Sequence, residues 1–89
     1  MKQSYLEVTY RKGRPLAAYY YLPRRPGDVS VRTRRVEPGL IIDFAKGGRP
    51  IGIEITTPGK FSLAAFNRVL KSLGLSAASR STVAPVRAA

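Results

Sequence analysis

The sequence contains no cysteine, no histidine and no tryptophan among its 89 residues. Without cysteine the chain has neither a disulfide framework nor thiolate chemistry, and without histidine it lacks the ligand of the commonest zinc sites. No run of apolar residues approaches the ~20 that a membrane-spanning helix requires, and the first residues do not resemble a signal sequence. These absences predict a cytoplasmic protein without a metal ion, a cofactor or contact with a membrane.

Acidic residues are also scarce, because five Asp and Glu stand against sixteen Lys and Arg, a formal net charge of +11. Such a surface attracts nucleic acid, anionic lipid or an acidic protein partner, although the same charge can serve only to keep a small protein in solution. A chain of 89 residues supports one thin core and leaves little room for a deep catalytic cleft. We therefore expect a binding function and not an enzymatic one.

Two runs of alternating apolar residues surround paired glycines between residues 40 and 55. Glycine tolerates the positive φ of tight turns, so Gly47 and Gly48 predict a β-hairpin. A one-residue slip in this hairpin would expose half of its apolar side chains, so the register is well specified. The turn places six of them on one face as three cross-strand pairs: Leu40 with Ile55, Ile42 with Ile53, and Phe44 with Ile51.

Alternation and turn residues predict three strands before this hairpin, at residues 5–10, 16–22 and 29–36. Short connections favour antiparallel neighbours, so the second and third strands are expected to pair. Helical spacing then follows, with Ser62 as N-cap and Gly74 as the stop. We expect an α+β fold, an antiparallel β-meander of about five strands with one C-terminal amphipathic helix packed on one face. Residues 1–75 would form this single domain and residues 76–89, which lack periodicity, a disordered tail.

Two stretches carry a recognisable pattern: Ala-Ala-Tyr-Tyr-Tyr-Leu at residues 17–22, and Pro-Gly-Leu-Ile-Ile-Asp through Gly-Arg-Pro-Ile-Gly-Ile-Glu-Ile at residues 38–55. In this pattern the chain resembles, over roughly residues 5–58, a family of short bacterial proteins known as the domain of unknown function 2283. The resemblance implies a small β-rich domain with no established activity. Some members sit beside small toxin-like proteins, which implies an antitoxin-like or partner-binding role. The acidic loop of many members is replaced here by Arg11, Lys12 and Arg14.

The second predicted strand is rich in tyrosine, and the third carries arginines. If Leu16, Ala18, Tyr20 and Leu22 face the core with Val29 and Val31, the opposite face carries both residue types, with Tyr19 opposite Arg32. Such a face is typical of single-stranded nucleic-acid platforms and of protein interfaces. Between two prolines, Arg24 and Arg25 would form an exposed basic tip. The candidate binding residues are therefore Tyr19, Tyr21, Arg24, Arg25, Arg32 and Arg34.

Two carboxylates, Asp43 and Glu54, point away from the apolar face of the central hairpin. As diagonal neighbours beside a notch at Gly52, they could serve as an acid–base pair or hold a hard cation, or they could simply be solvated or paired with arginines. We expect a non-enzymatic protein-binding module whose partner is acidic or toxin-like. The alternatives are a nucleic-acid-binding module and a carboxylate-dependent enzyme. The sequence does not indicate an oligomeric state.

Overall fold

The computed structural model describes residues 3–87, with the backbone alone at Arg87. This part of the chain forms five strands, a 3₁₀ turn at Pro58–Lys60 and two helices, so the predicted α+β class is confirmed. Neither helix in it has the length and apolar character needed to cross a membrane. The strands are β1 (Tyr5–Arg11), β2 (Arg14–Tyr21), β3 (Arg32–Glu37), β4 (Leu40–Phe44) and β5 (Pro50–Ile55), and the helices are α1 (Leu63–Ser72) and α2 (Arg80–Arg87).

The five strands form one antiparallel sheet in the order β1-β2-β5-β4-β3. Strands β3 to β5 follow one another as a meander, and the β1–β2 hairpin joins them through pairing of β2 with β5. The predicted antiparallel architecture is confirmed, but the expected pairing of β2 with β3 is wrong. The connecting segment contains Pro23 and Pro26, which cannot donate to a ladder, and it carries the chain to the far edge of the sheet.

Hairpin β4–β5 has the predicted register away from its turn, where Leu40 pairs with Ile55 and Ile42 with Ile53. An irregularity after Asp43 then pairs Phe44 with Pro50, so the expected Phe44–Ile51 pair is wrong. An extra residue in one strand shifts every later pair, which accounts for the change. All six predicted apolar side chains are nevertheless buried.

Helix α1 covers the apolar face of the sheet, as predicted. Ser62 is its N-cap, and the Ser62 hydroxyl accepts a hydrogen bond from the backbone N–H of Ala65. Its Phe66 ring meets the ring of Tyr20 edge-on, with 5.1 Å between ring centres. The residues of α1 that are buried in the core are Phe66, Val69 and Leu70.

The expected disordered tail is wrong for residues 80–87, which form helix α2. Val83 and Val86, almost one turn apart, are fully buried in the same core as α1. Asn67 of α1 fastens the connection, because its amide group donates to the carbonyl of Ala78 and its side-chain oxygen accepts from the Ala78 N–H. Pro85 lies inside α2 and removes a backbone donor, so burial of the two valines, not helix propensity, stabilises it.

Three apolar side chains that were expected in the core are exposed. Leu16 lies where β2 extends beyond its pairing with β5, and Val29 and Val31 precede β3 in a segment without regular secondary structure. Their exposed fractions are 53% for Leu16, 64% for Val29 and 61% for Val31. The expectation failed because it assumed that these valines pair with β2.

Candidate functional site

The side of the sheet opposite the helices carries tyrosines and carboxylates. Cross-strand pairing places Tyr19 between Glu7 on β1 and Glu54 on β5. Because successive side chains of a strand alternate between faces, these residues point away from the buried core. We call this surface the tyrosine face, and its members are Tyr5, Glu7, Tyr19, Tyr21, Asp43 and Glu54.

Tyr19 reaches from β2 across β5 to β4. Its hydroxyl donates a 2.6 Å hydrogen bond to Oδ2 of Asp43. Gly52 lies opposite Asp43 on β5, and a Cβ atom at Gly52 would collide with the Tyr19 ring. The notch predicted at Gly52 is therefore filled by Tyr19. Burial, and then the hydrogen bond to the Asp43 carboxylate, raise the pKa of Tyr19 well above its usual range.

Arg24 lies against the tyrosine face. Its Nε donates to the carbonyl of Ile51 and its Nη2 to the hydroxyl oxygen of Tyr19, both at 3.2 Å. The guanidinium carbon is 5.9 Å from the ring centre of Tyr19 and 5.0 Å from that of Tyr21, within cation–π range. Arg25 is exposed. The expectation of an exposed tip is therefore wrong for Arg24, which folds back onto the sheet.

Tyr21 is held by its neighbours on the same face. Its ring stacks on Tyr5 with 4.5 Å between ring centres and meets the edge of Tyr19 at 4.7 Å. Its hydroxyl donates to Oε1 of Glu7 at 3.2 Å. Burial, and then the negative charge of Glu7, raise the pKa of Tyr21. Both Tyr19 and Tyr21 therefore present neutral hydroxyls that already bind carboxylates.

Arg32 and Arg34 lie on the opposite side of the sheet, at its edge. They pair across the ladder with Phe44 and Ile42, whose side chains belong to the core. Their guanidinium carbons are 4.4 Å and 5.5 Å from the Phe44 ring centre, so both cations cover the rim of the core. The expected pairing of Arg32 with Tyr19 is wrong.

The six candidate binding residues consequently do not form one surface. The structure brings Tyr19, Tyr21 and Arg24 together and places Arg32 and Arg34 behind them, on the core side of the sheet. Three of the five acidic residues of the chain lie on the tyrosine face. Their charge opposes the approach of a phosphate, so this face does not have the character of a nucleic-acid platform.

The carboxylate pair is placed as expected, with Asp43 opposite Gly52 and Glu54 opposite Ile41. Both side chains are half-buried. Asp43 already accepts a hydrogen bond from the Tyr19 hydroxyl, so this bond would have to break before Asp43 could act in general acid–base catalysis. Within residues 3–87 no group of three or more acidic side chains is arranged to hold a metal ion.

Among the described residues β3 pairs with β4 alone, which makes it an edge strand of the sheet. Its first four residues are exposed, and we call them the basic edge: Arg32, Thr33, Arg34 and Arg35. The exposed Val29 and Val31 continue this edge, and the N–H of Val31 donates to the carbonyl of Phe44 at 2.9 Å. The sequence holds one signal for this placement, since a charged run without apolar alternation is typical of edge strands.

Asp28 fastens the loop that leads into the basic edge. Both of its carboxylate oxygens accept hydrogen bonds from the Arg49 guanidinium, and Oδ2 also accepts the backbone N–H of Arg25 at 2.8 Å. The Arg49 hydrogen bond, followed by the Arg25 N–H, holds the pKa of Asp28 well below its usual range. The same contact with Asp28 raises the pKa of Arg49. The segment before β3 is thereby tied to the turn between β4 and β5.

Residues 17–57 match the model of a family described as "Protein of unknown function (DUF2283)". The matched segment runs from within β2 to just beyond β5, so it contains strands β3, β4 and β5 in full. No curated protein and no solved structure matches the chain. The match confirms the resemblance that the tyrosine-rich strand and the central hairpin carry in the sequence.

Proposed function

The chain belongs to the DUF2283 family of proteins of unknown function, and from this premise we propose that it is a non-enzymatic binding module for an acidic protein partner. An extended segment of the partner would add to the sheet beside β3. The observation that carries this proposal is the basic edge, an edge strand on which three arginines and a threonine are exposed in succession. In strand addition, main-chain hydrogen bonds give affinity and alternate side chains give specificity.

The charge of the basic edge favours an acidic strand over other occupants. Two copies of this edge laid antiparallel would bring arginines close to arginines, which is destabilising. A strand with Asp or Glu at alternate positions would instead oppose Arg32 and Arg34 with opposite charges. The same arginines discourage pairing with uncharged strands, so they favour one class of partner and reject others.

Apolar contacts extend the same surface. Val29 and Val31 are more than half exposed and lie directly before Arg32 in the chain. A partner segment that runs past the basic edge would bury these side chains, and buried apolar area adds to the free energy of association. The ion pair between Asp28 and Arg49 holds the segment before β3 in place before a partner binds. This lowers the entropy cost of association.

We propose that the module acts in the cytoplasm of a bacterium. If its acidic partner is a toxin, the module would act as an antitoxin. We do not propose the tyrosine face as a nucleic-acid platform, because its carboxylates oppose phosphate. A carboxylate-dependent reaction is also not proposed, because Asp43 already accepts a hydrogen bond from Tyr19.

The test uses three labelled peptides of about ten residues, a length typical of long strands. The first alternates Glu and Val, the second alternates Lys and Val, and the third has the charge of the first but contains prolines that prevent strand pairing. We expect the full-length protein to bind the first peptide alone, and hydrogen exchange of the β3 amides to slow in that complex. Fluorescence anisotropy gives the affinities.

Variant R32Q/R34Q removes the two charges that the acidic strand opposes and should weaken this binding. K60Q/K71Q, which removes two exposed charges elsewhere, should not. Equal affinity for the proline-containing peptide would reduce the interaction to charge attraction and contradict strand addition. Equal losses in the two variants would contradict the assignment to the basic edge.

A further inference from the structure

The β1–β2 hairpin extends beyond the rest of the sheet. Strand β2 pairs with β5 only over Ala18–Tyr21, whereas its pairing with β1 continues to Arg11 and Arg14. Residues 9–14 are exposed without interruption. Within residues 3–87 the outer part of this hairpin is therefore a two-stranded ribbon with no third strand beside it. We call residues 10–16 the hairpin tip.

Three cations are concentrated at the hairpin tip in an arrangement that weakens the hairpin itself. Arg11 and Arg14 are direct cross-strand partners, and like charges in that position repel. Lys12 adopts a φ of 53°, which is uncommon for a residue other than glycine. Residues 8–27 contain no Asp or Glu, and the ion pairs within the described part of the chain do not involve these three cations. A ligand that supplies negative charge would relieve the repulsion.

We infer that the hairpin tip is a second binding site, separate from the basic edge, and that it binds duplex DNA. The major groove of B-form DNA admits a two-stranded β-ribbon, and Arg and Lys neutralise the flanking phosphates. Tyr10 and Leu16, which are 54% and 53% exposed, stand beside the cations and can contact the methyl groups of thymine. A-form RNA has a deep, narrow major groove that such a ribbon cannot enter.

The experiment measures binding of the full-length protein to a labelled DNA duplex by fluorescence anisotropy, at about 50 and 200 mM salt. Single-stranded DNA and vesicles containing phosphatidylserine are the comparison ligands. The test variant is R11Q/K12N/R14Q, in which asparagine suits the positive φ at position 12. The matched control is K46Q/K60Q/K71Q, which removes three exposed charges elsewhere. We expect the test variant to bind ~10-fold more weakly or worse, with a log–log salt slope less steep by about three, and the control to change little.

Three results would overturn the inference. The first is that the wild-type protein does not bind duplex at low salt, and the second is that both variants lose the same amount of duplex affinity. The third is that the test variant loses affinity only for single-stranded DNA or for vesicles containing phosphatidylserine. If the test variant does not fold, chemical shifts of the wild-type protein decide the matter. Added duplex should then shift the amides of residues 9–17, and shifts confined to other residues would contradict the site. Variant R32Q/R34Q should retain duplex binding, which separates this site from the proposed protein-binding edge.

Discussion

The Tyr19 hydroxyl and the Asp43 carboxylate are joined by a 2.6 Å hydrogen bond that crosses strand β5. Arg24 donates to the oxygen of the same hydroxyl, so the three side chains form one chain of hydrogen bonds over the sheet. The contact requires Gly52, because any side chain there would occupy the space of the Tyr19 ring. Strand β2 and the loop after it are thus tied to β4, which is not their neighbour in the sheet.

We expect Gly52→Ala to lower the free energy of unfolding by about 1–3 kcal/mol, the usual cost of forcing extra atoms into a packed site. The added methyl group would displace Tyr19 and break its hydrogen bond to Asp43. Urea denaturation of both proteins measures the difference. In a double-mutant cycle with Tyr19→Ala, the two changes should be coupled by more than ~0.5 kcal/mol, because removal of the ring makes room for the methyl group. Simple additivity would contradict the clash.

Tyr19→Phe should cost about 1–3 kcal/mol at neutral pH, because it removes a hydrogen bond to a charged group and keeps the ring. The raised pKa of Tyr19 in the folded protein makes this cost depend on pH. Above the ordinary tyrosine pKa of about 10, the unfolded chain releases the Tyr19 proton while the folded protein retains it, so the wild-type protein loses stability as pH rises. The stability difference between the two proteins should therefore shrink from about pH 9 to pH 12. A constant difference would contradict the raised pKa.

The residue pattern within single segments was enough to predict the β4–β5 hairpin and helix α1. Strict alternation and paired glycines specified the pairing of Ile42 with Ile53, and helical spacing after Ser62 specified α1. The pairing of β2 with β5 could not be predicted in this way, because nothing in either strand encodes a partner so distant in sequence. Helix α2 was not predicted, because only Val83 and Val86 among its described side chains are buried in the core and Pro85 lies between them.

The pairing of β2 with β5 also determined how much of the candidate site could be predicted from the sequence. The tyrosine positions were found from alternation alone, but their neighbours depend on strand order. With β3 beside β2, Arg32 would have faced Tyr19; with β5 there instead, Glu54 does. The side-chain reach of Tyr19 over Gly52 also involves three strands, so no single hairpin pattern contains it.

Ile53→Ala should lower the free energy of unfolding by about 2–5 kcal/mol, because the Ile53 side chain is fully buried at the centre of the sheet. Its chain neighbour Glu54 points to the tyrosine face and is half-buried, so Glu54→Ala should cost much less. Chemical denaturation of both variants compares the two faces of β5 directly. Similar losses would mean that the faces are wrongly assigned.

Helix α2 should contribute to stability despite its unfavourable composition. Val83→Ala is expected to cost about 2 kcal/mol, since it removes buried apolar atoms and leaves a cavity. Ala84→Ser changes an exposed neighbour on the same helix and serves as the control. Thermal unfolding should show a much larger drop in midpoint for the first variant, because Ala84→Ser costs only the small difference in helix propensity. If a chain ending at Leu75 were as stable as the full protein, the packing of α2 on the core would be contradicted.

The contact between Asp28 and Arg49 should make stability depend on pH in the acid range. The pKa of Asp28 is lowered in the folded protein, so its contribution is fully present above the ordinary aspartate pKa of about 4 and is lost as pH falls toward the folded value. The free energy of unfolding of the wild-type protein should therefore decline between about pH 5 and pH 2 more steeply than that of Asp28→Asn. Arg49→Gln should give an intermediate slope, because the Arg25 N–H still stabilises the carboxylate. Urea denaturation across this pH range measures all three slopes, and equal slopes would show that the contact does not form in solution.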